Sequence, residues 1–250
     1  MTAYRLPINK DSYPFRHSVT HGIYAKKLTE LNQQPLFSNS KSIVNFDPIE
    51  MLDIFEHGKQ IKVIERAIDE EVVEYLKLVA PHLGSGFKVL LAASQSISVK
   101  ILAENILPNC TGRVRFLAEL DCLTSLYVDL LGCPSIGVRL EVLNHAMCPK
   151  FHVDKTGIRL LCTYVGAGTQ WLDDTYADRT KLGMASANME DAISGVILDT
   201  IGIHQVENFH IALLKGSLWQ GNGMRGVIHR SPAVLNDDHA RVMLAIDAIW

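Results

Sequence analysis

His152 and Asp154 stand two residues apart, and His229 follows seventy-seven residues after the first. Residues i and i+2 of an extended segment point to the same side, so an imidazole and a carboxylate can take adjacent positions on one cation while a distant strand brings the second imidazole. Two histidines and one carboxylate are the protein ligands of a mononuclear iron(II) site, whose opposite face stays open for a chelating co-substrate and dioxygen. A structural zinc site, closed by four protein ligands, has no such face. A chain with ten histidines also produces H-x-D and a later His by accident, as an exposed pair and a hydrogen-bonded core histidine. The surroundings of the three residues therefore matter.

Several neighbours bear on that choice. Cys148 would extend the set to C-x3-H-x-D, and a thiolate shifts preference toward zinc, although a buried free cysteine is the commoner state. Arg159 and Thr163 share a strand face by their even separation and can both project toward the site, or Arg159 can serve an ion pair instead. Arg230 and Ser231 adjoin His229 and could hydrogen-bond a co-substrate or substrate, but alternation turns Arg230 away from His229 unless the strand bulges. Trp171 and Trp219 flank Gly-rich turns and either line a substrate pocket or pack. His204 and His210 read as surface or hairpin residues, and Glu207 is a candidate general base only if the ion activates water for hydrolysis.

These residues need strands to hold them, and the second half of the chain supplies the pattern. After Gly132 and Pro134 come strand-like runs at 136–144, 158–165, 169–172, 209–216, 226–231 and 240–249. Between 173 and 203 lies a long connection, with room for a short helix, of the kind that forms lids or substrate loops. The first half reads differently. IKVIER at 61–66 has strand character, residues 67–83 form a helix with acidic residues near its start, and FKVLLAAS at 87–94 is a short buried strand. Periodicity leaves 95–107 open. From 113 to 131, Phe116, Leu120, Leu123, Tyr127 and Leu130 alternate four and three apart, which predicts a helix backing a sheet. Residues 1–50, with four prolines and the polar stretch SNSKS, read as wrapping rather than a separate domain.

Composition narrows the rest. A chain of 250 residues can bury a core without disulfide or metal staples, so a metal here would serve chemistry rather than folding. A net charge of −3 and no long Lys/Arg run leave nucleic acid a poor partner. Five cysteines without a C-x-x-C pair indicate a reduced, cytoplasmic setting. The start, MTAYRLPINKDSYPF, lacks the order of a signal peptide, and no apolar run nears the ~20 residues that span a bilayer.

The segment CPKFHVDKTGIRLLCTYVGAGTQWL, residues 148–172, resembles the first metal-binding strands of the 2-oxoglutarate/iron(II) dioxygenases, above all their prolyl-hydroxylase-like branch. The shared pieces are His152 and Asp154, an Arg-containing strand with Arg159, and a Gly-rich turn, Gly166 to Gly168, ending in Thr169. LLKGSLWQGNGMRGVIHRSPAVLNDDHARVMLAID resembles that family's second half, with His229 as distal histidine and Arg241 at the head of the last strand. CPKFHVD, GAGTQWL and HRSP also resemble an uncharacterised bacterial family, domain of unknown function 1826.

The resemblance implies an α+β protein: a double-stranded β-helix (jelly-roll) core over 135–250, with residues 1–134 supplying a wrapping segment and helices packed on the outer sheet, all one integrated domain. It implies iron(II) held by His152, Asp154 and His229, with 2-oxoglutarate as co-substrate. Arg241 would bind the distal carboxylate of 2-oxoglutarate, a two-point task suited to a planar guanidinium. Asn144 stands where the family often places a polar co-substrate contact, commonly Tyr. The expected reaction is hydroxylation of an unknown small-molecule or protein substrate. Two readings stay beside it: a cupin-like protein binding zinc or another divalent ion without redox chemistry, and a metal-dependent hydrolase.

Overall fold

The computed structural model describes residues 46–93, 105–183, 189–223, 225–232 and 240–250. The expectations for residues 1–45 and 95–104 lie outside them. A 3-10 helix, Pro48–Phe55, opens the described chain, capped by the Asp47 carboxylate on Ile49 N. Strand β1, Ile61–Ile64, follows, then helix α1, Glu70–Val79. The helix starts three residues later than the acidic pattern suggests because Asp69 takes an extended conformation and accepts from the amides of Glu71 and Val72. Beyond Val79 a 3-10 turn, Ala80–His82, carries Pro81.

β2, Gly86–Ala92, precedes α2, Arg113–Leu131, along the chain. Gly112 and Gly132 bound α2, both with left-handed backbone (φ 89° and 62°) that a side chain would resist. Its stripe of Phe116, Leu120, Leu123, Tyr127 and Leu130 is buried, and each buried leucine contributes roughly 1.5–3 kcal/mol of apolar burial. Tyr127 Oη donates to Ile158 O (2.5 Å) and accepts from Ala248 N (2.9 Å), which fixes the helix to two strands.

The remaining strands are β3 (Ser135–Leu143), β4 (Ile158–Val165), β5 (Gln170–Leu172), β6 (Ile203–Gln205), β7 (Ile211–Lys215), β8 (Ile228–Arg230) and β9 (Arg241–Ile249). A four-residue helix α3, Asp191–Ser194, lies in the long connection after β5. The strands build two antiparallel sheets, one of six in the order β1-β7-β4-β9-β3-β2 and one of three in the order β6-β5-β8. Among the described residues no helix is long and apolar enough to cross a membrane.

Alternation gives the large sheet two different faces. Leu160, Cys162 and Tyr164 of β4 and Val242, Leu244 and Ile246 of β9 join the apolar cluster that includes α1 and α2. Leu161, Met243 and Ala245 point the other way, into a second cluster shared with Val206, Val227 and Trp171 of the small sheet and its flanks. On the helix side a buried ion pair joins Arg66 to Glu119 (2.7 and 3.1 Å), with Tyr164 Oη donating to Glu119 (3.2 Å) and Arg66 Nε to Phe209 O (2.7 Å). The face between the sheets is the one that receives the metal-ligand candidates.

Candidate metal centre

His152 forms an isolated antiparallel bridge with His229, so the H-x-D segment adds a fourth rib to the small sheet. His152 N donates to His229 O (3.0 Å) and His229 N to His152 O (2.9 Å). Residues opposed in this way carry their side chains on one side, and the two rings lie 4.5 Å apart, centroid to centroid. Asp154, two positions on, joins them. His152, Asp154 and His229 each offer one donor atom, all within 4.8 Å of one another.

The imidazoles are oriented by their own backbone. Nδ1 of His152 lies 2.9 Å from Lys150 O, and Nδ1 of His229 lies 3.1 Å from Val227 O. A carbonyl can only accept, so Nδ1 carries the proton and Nε2 is the atom left to bind a cation. Those Nε2 atoms lie 3.6 and 3.2 Å from the Asp154 carboxylate. Burial alone would raise the Asp154 pKa, but hydrogen bonds from both imidazoles, made while Nε2 carries a proton that a cation would displace, and the Arg159 charge outweigh it and hold the group well below the ordinary carboxylate range. Two imidazole nitrogens, which give up any proton on Nε2 to bind a cation, and one anionic oxygen, clustered with His152 still a third exposed, fit a divalent transition ion with an open side.

The loop behind the ligands is pinned. Asp154 O accepts from Ser217 N (2.8 Å) and Ser217 Oγ (3.0 Å), and Phe151 N donates to the buried Asp191 carboxylate (2.9 Å). At Gly216 a Cβ would stand 2.3 Å from Thr156 O and 2.9 Å from Asp154 O, so only glycine lets the β7 end approach this loop.

Arg159 projects to the same face but is fully engaged. Its Nη1 donates to Asp154, while Nε and Nη2 reach the two oxygens of Asp247 at 2.6 and 2.9 Å. Arg139 binds Asp247 (3.0 Å) and Glu141 (3.2 Å), so charges alternate from Asp154 across β4, β9 and β3. Arg159 thus both projects toward the site, onto Asp154, and forms an ion pair with Asp247.

Arg241 is the contrasting cation. It is 3% exposed, and among the described residues no carboxylate lies within salt-bridge distance. Its Nε donates to Ala167 O (2.7 Å), and Nη2 donates to the hydroxyls of Thr163 (3.2 Å) and Thr169 (3.0 Å). Desolvation pushes its pKa down to about 10, against the opposing charge of Glu141, which leaves it charged at neutral pH. Thr169 immediately precedes β5, the strand beside His229, so these bonds tie Arg241 to the small sheet. Gly166, at φ 81°, passes close over Arg241, where a Cβ would lie 3.0 Å from Arg241 Cα.

The other candidates are placed as follows. Arg230 turns to the far face of the small sheet, donates to Asp191 (2.8 Å) and Gln170 (2.9 Å), and stacks over Phe151 at 4.3 Å. Ser231 is half-buried, with its amide on Cys148 O (2.8 Å). Asn144 is exposed just past β3, and Cys148 is not among the clustered donors; burial raises its thiol pKa. Glu207 is exposed in the turn before Phe209, and Trp219 packs near Phe55 (5.9 Å) with the helix-side cluster. Sequence reasoning missed Asp247 and Asp191, and named Thr169 only as the end of the Gly-rich turn, without its bond to Arg241. Asp247 left a trace, as a lone charge in the apolar run of β9 on the same parity as Arg241.

The profile of the family described as "Protein of unknown function (DUF1826)" matches residues 46–247. Among solved structures, the rice dioxygenase for auxin oxidation is 16% identical, with 86% of this chain and 70% of that one covered and a TM-score of 0.41. The 2-oxoglutarate complex of dioxygenase for auxin oxidation 1 from Arabidopsis thaliana is 12% identical, covering 91% and 77%, TM-score 0.38. HygX from Streptomyces hygroscopicus, with nickel and 2-oxoglutarate bound, is 10% identical, covering 76% and 83%, TM-score 0.40. Likeness at this level is one of general shape, and the chemistry has to rest on this chain's own residues. None of the curated proteins compared matches the chain. By its extensive profile match, the chain belongs to the DUF1826 family.

Proposed function

We propose that this member of the DUF1826 family is a 2-oxoglutarate- and iron(II)-dependent oxygenase acting on a substrate yet to be identified. What carries the reading is the convergence of His152, Asp154 and His229, with both Nδ1 protons committed to backbone carbonyls and both Nε2 atoms turned toward one carboxylate. The buried Arg241, whose hydrogen bonds all go to neutral groups, adds a counter-charge for a dicarboxylate whose other end chelates the metal. Two facing antiparallel sheets support the double-stranded β-helix architecture.

In this reading His152, Asp154 and His229 hold iron(II) on one coordination face and leave the other free. Thr163 and Thr169 orient the Arg241 guanidinium, which binds the distal carboxylate of 2-oxoglutarate. Leu161, Met243 and Ala245, apolar and buried between the sheets, exclude water from the space that the co-substrate would cross. Arg159, neutralised by Asp247, keeps Asp154 ionised and pointed at its position. The chemistry that iron(II) and 2-oxoglutarate supply when bound is reductive activation of dioxygen, with release of carbon dioxide and succinate. Adding iron(II) and then 2-oxoglutarate to the protein without oxygen tests the reading. A weak visible charge-transfer band should appear, and should be absent from Asp154→Ala; if neither ligand binds the wild type, the reading fails.

A further inference from the structure

Trp171 of β5 lies opposite His229 of β8 on one side and His204 of β6 on the other, and His152 lies opposite His229 from beyond. Opposed residues of antiparallel strands share a face. The small sheet therefore carries one row of four rings: His152, His229, Trp171, His204. The row closes into two pairs. His152 and His229 stand 4.5 Å apart by centroid, and Trp171 and His204 stand 4.3 Å apart, stacked at 25°. No ring contact joins His229 to Trp171 among those formed by the described residues. With strands about 4.7–4.9 Å apart, rings stacked along the row stand across it, so the indole covers His204 with one face and turns the other toward the metal-ligating histidine.

We infer that the split between His229 and Trp171 is the site of the prime substrate, and that this substrate presents a flat, uncharged aromatic or heteroaromatic ring. The inference rests on the oxygenase reading. Trp171, one wall of the split, is half-buried and so reaches solvent, and it packs against the apolar cluster that holds Val206 and Val227. The row holds no charged group except its titratable imidazoles, and the cation nearest the ligands, Arg159, is held by two carboxylates. A ring entering here stacks on the indole with its edge toward the cation, whereas a charged group would lose its hydration with no partner in return.

The test uses the full chain loaded with manganese(II) and 2-oxoglutarate, with 2-naphthalenemethanol as probe and its fully saturated decahydro counterpart as control. Both probes are uncharged, and only one is flat. Proton line broadening by manganese reports binding next to the metal rather than elsewhere. The naphthyl compound should be broadened and the saturated one at least about ten-fold less so at equal concentration. Trp171→Ala should weaken naphthyl binding about ten-fold or more, Trp171→Phe should retain part of it, and His204→Ala, on an exposed edge strand, should weaken it several-fold with the fold intact. Equal broadening by both probes, or naphthyl binding indifferent to all three variants, overturns the inference while manganese binding, followed by spin resonance in the same samples, leaves the metal site standing. Failure of the wild type to bind manganese removes the metal reading itself, and this inference with it.

Discussion

Arg159 joins Asp154 to Asp247, donating to the first from Nη1 and to both oxygens of the second from Nε and Nη2. The guanidinium beside the ligand carboxylate would repel a cation if Asp247 did not neutralise it. Asp247→Asn should therefore weaken divalent-metal binding by ~10–100-fold, the usual effect of losing a partner one step behind the ligands. Competition against a chromophoric chelator measures this. Wild-type affinity in the variant would mean that Arg159 and Asp247 serve only the strand packing.

Alanine at His152, Asp154 or His229 should each abolish stoichiometric metal binding while the protein stays folded, because the apolar cluster that joins the helices to the large sheet contains none of the three. Metal analysis and thermal unfolding of the three variants check both halves of the statement. Retained metal in all three would place the ion elsewhere.

Long patterns were readable and pairings were not. α2 and β4 coincide with the apolar spacing over 113–131 and the run at 158–165, since Gly112 and Gly132 bound the helix and the strand is continuous. β6, three residues, and α3, four residues, are too short to leave a period. The side to which Arg230 turns follows from alternation beside His229. What Arg159 would meet did not: Asp247 is eighty-eight residues away, and only the β4–β9 register brings them opposite each other. The same limit hid the row from His152 to His204, which takes residues from four separated segments.

The Arg66–Glu119 pair, on the helix side of the large sheet, should matter for stability and not for the metal. Both side chains are nearly inaccessible, at 2% and 5% exposure, so Glu119→Gln strands a buried guanidinium. Breaking one partner of such a pair costs about 3–5 kcal/mol, which for a domain of this size lowers the unfolding midpoint by roughly 6–20 °C. Replacing both partners with apolar residues, Arg66→Met with Glu119→Leu, should recover most of the loss. Thermal unfolding followed by circular dichroism decides it. A single variant as stable as the wild type would show that the site takes up water and solvates the stranded charge.

Arg241 separates co-substrate binding from metal binding. Its guanidinium is held by Ala167 O, Thr163 and Thr169, all neutral, and so keeps its charge available for an anion. Arg241→Ala would leave the distal carboxylate of 2-oxoglutarate desolvated and unpaired, a loss of about 2–5 kcal/mol, or roughly 30- to several-thousand-fold in affinity. Arg241→Lys keeps the charge without the planar two-point contact and should fall between the wild type and alanine; it is also the safer variant for folding, since it can still donate to Ala167 O. Calorimetric titration of 2-oxoglutarate into the metal-loaded wild type and both variants supplies the numbers, with metal affinity measured alongside and expected to be unchanged. Three equal affinities for 2-oxoglutarate would assign Arg241 to the junction between the sheets alone, and the search for the carboxylate's partner would move to another cation.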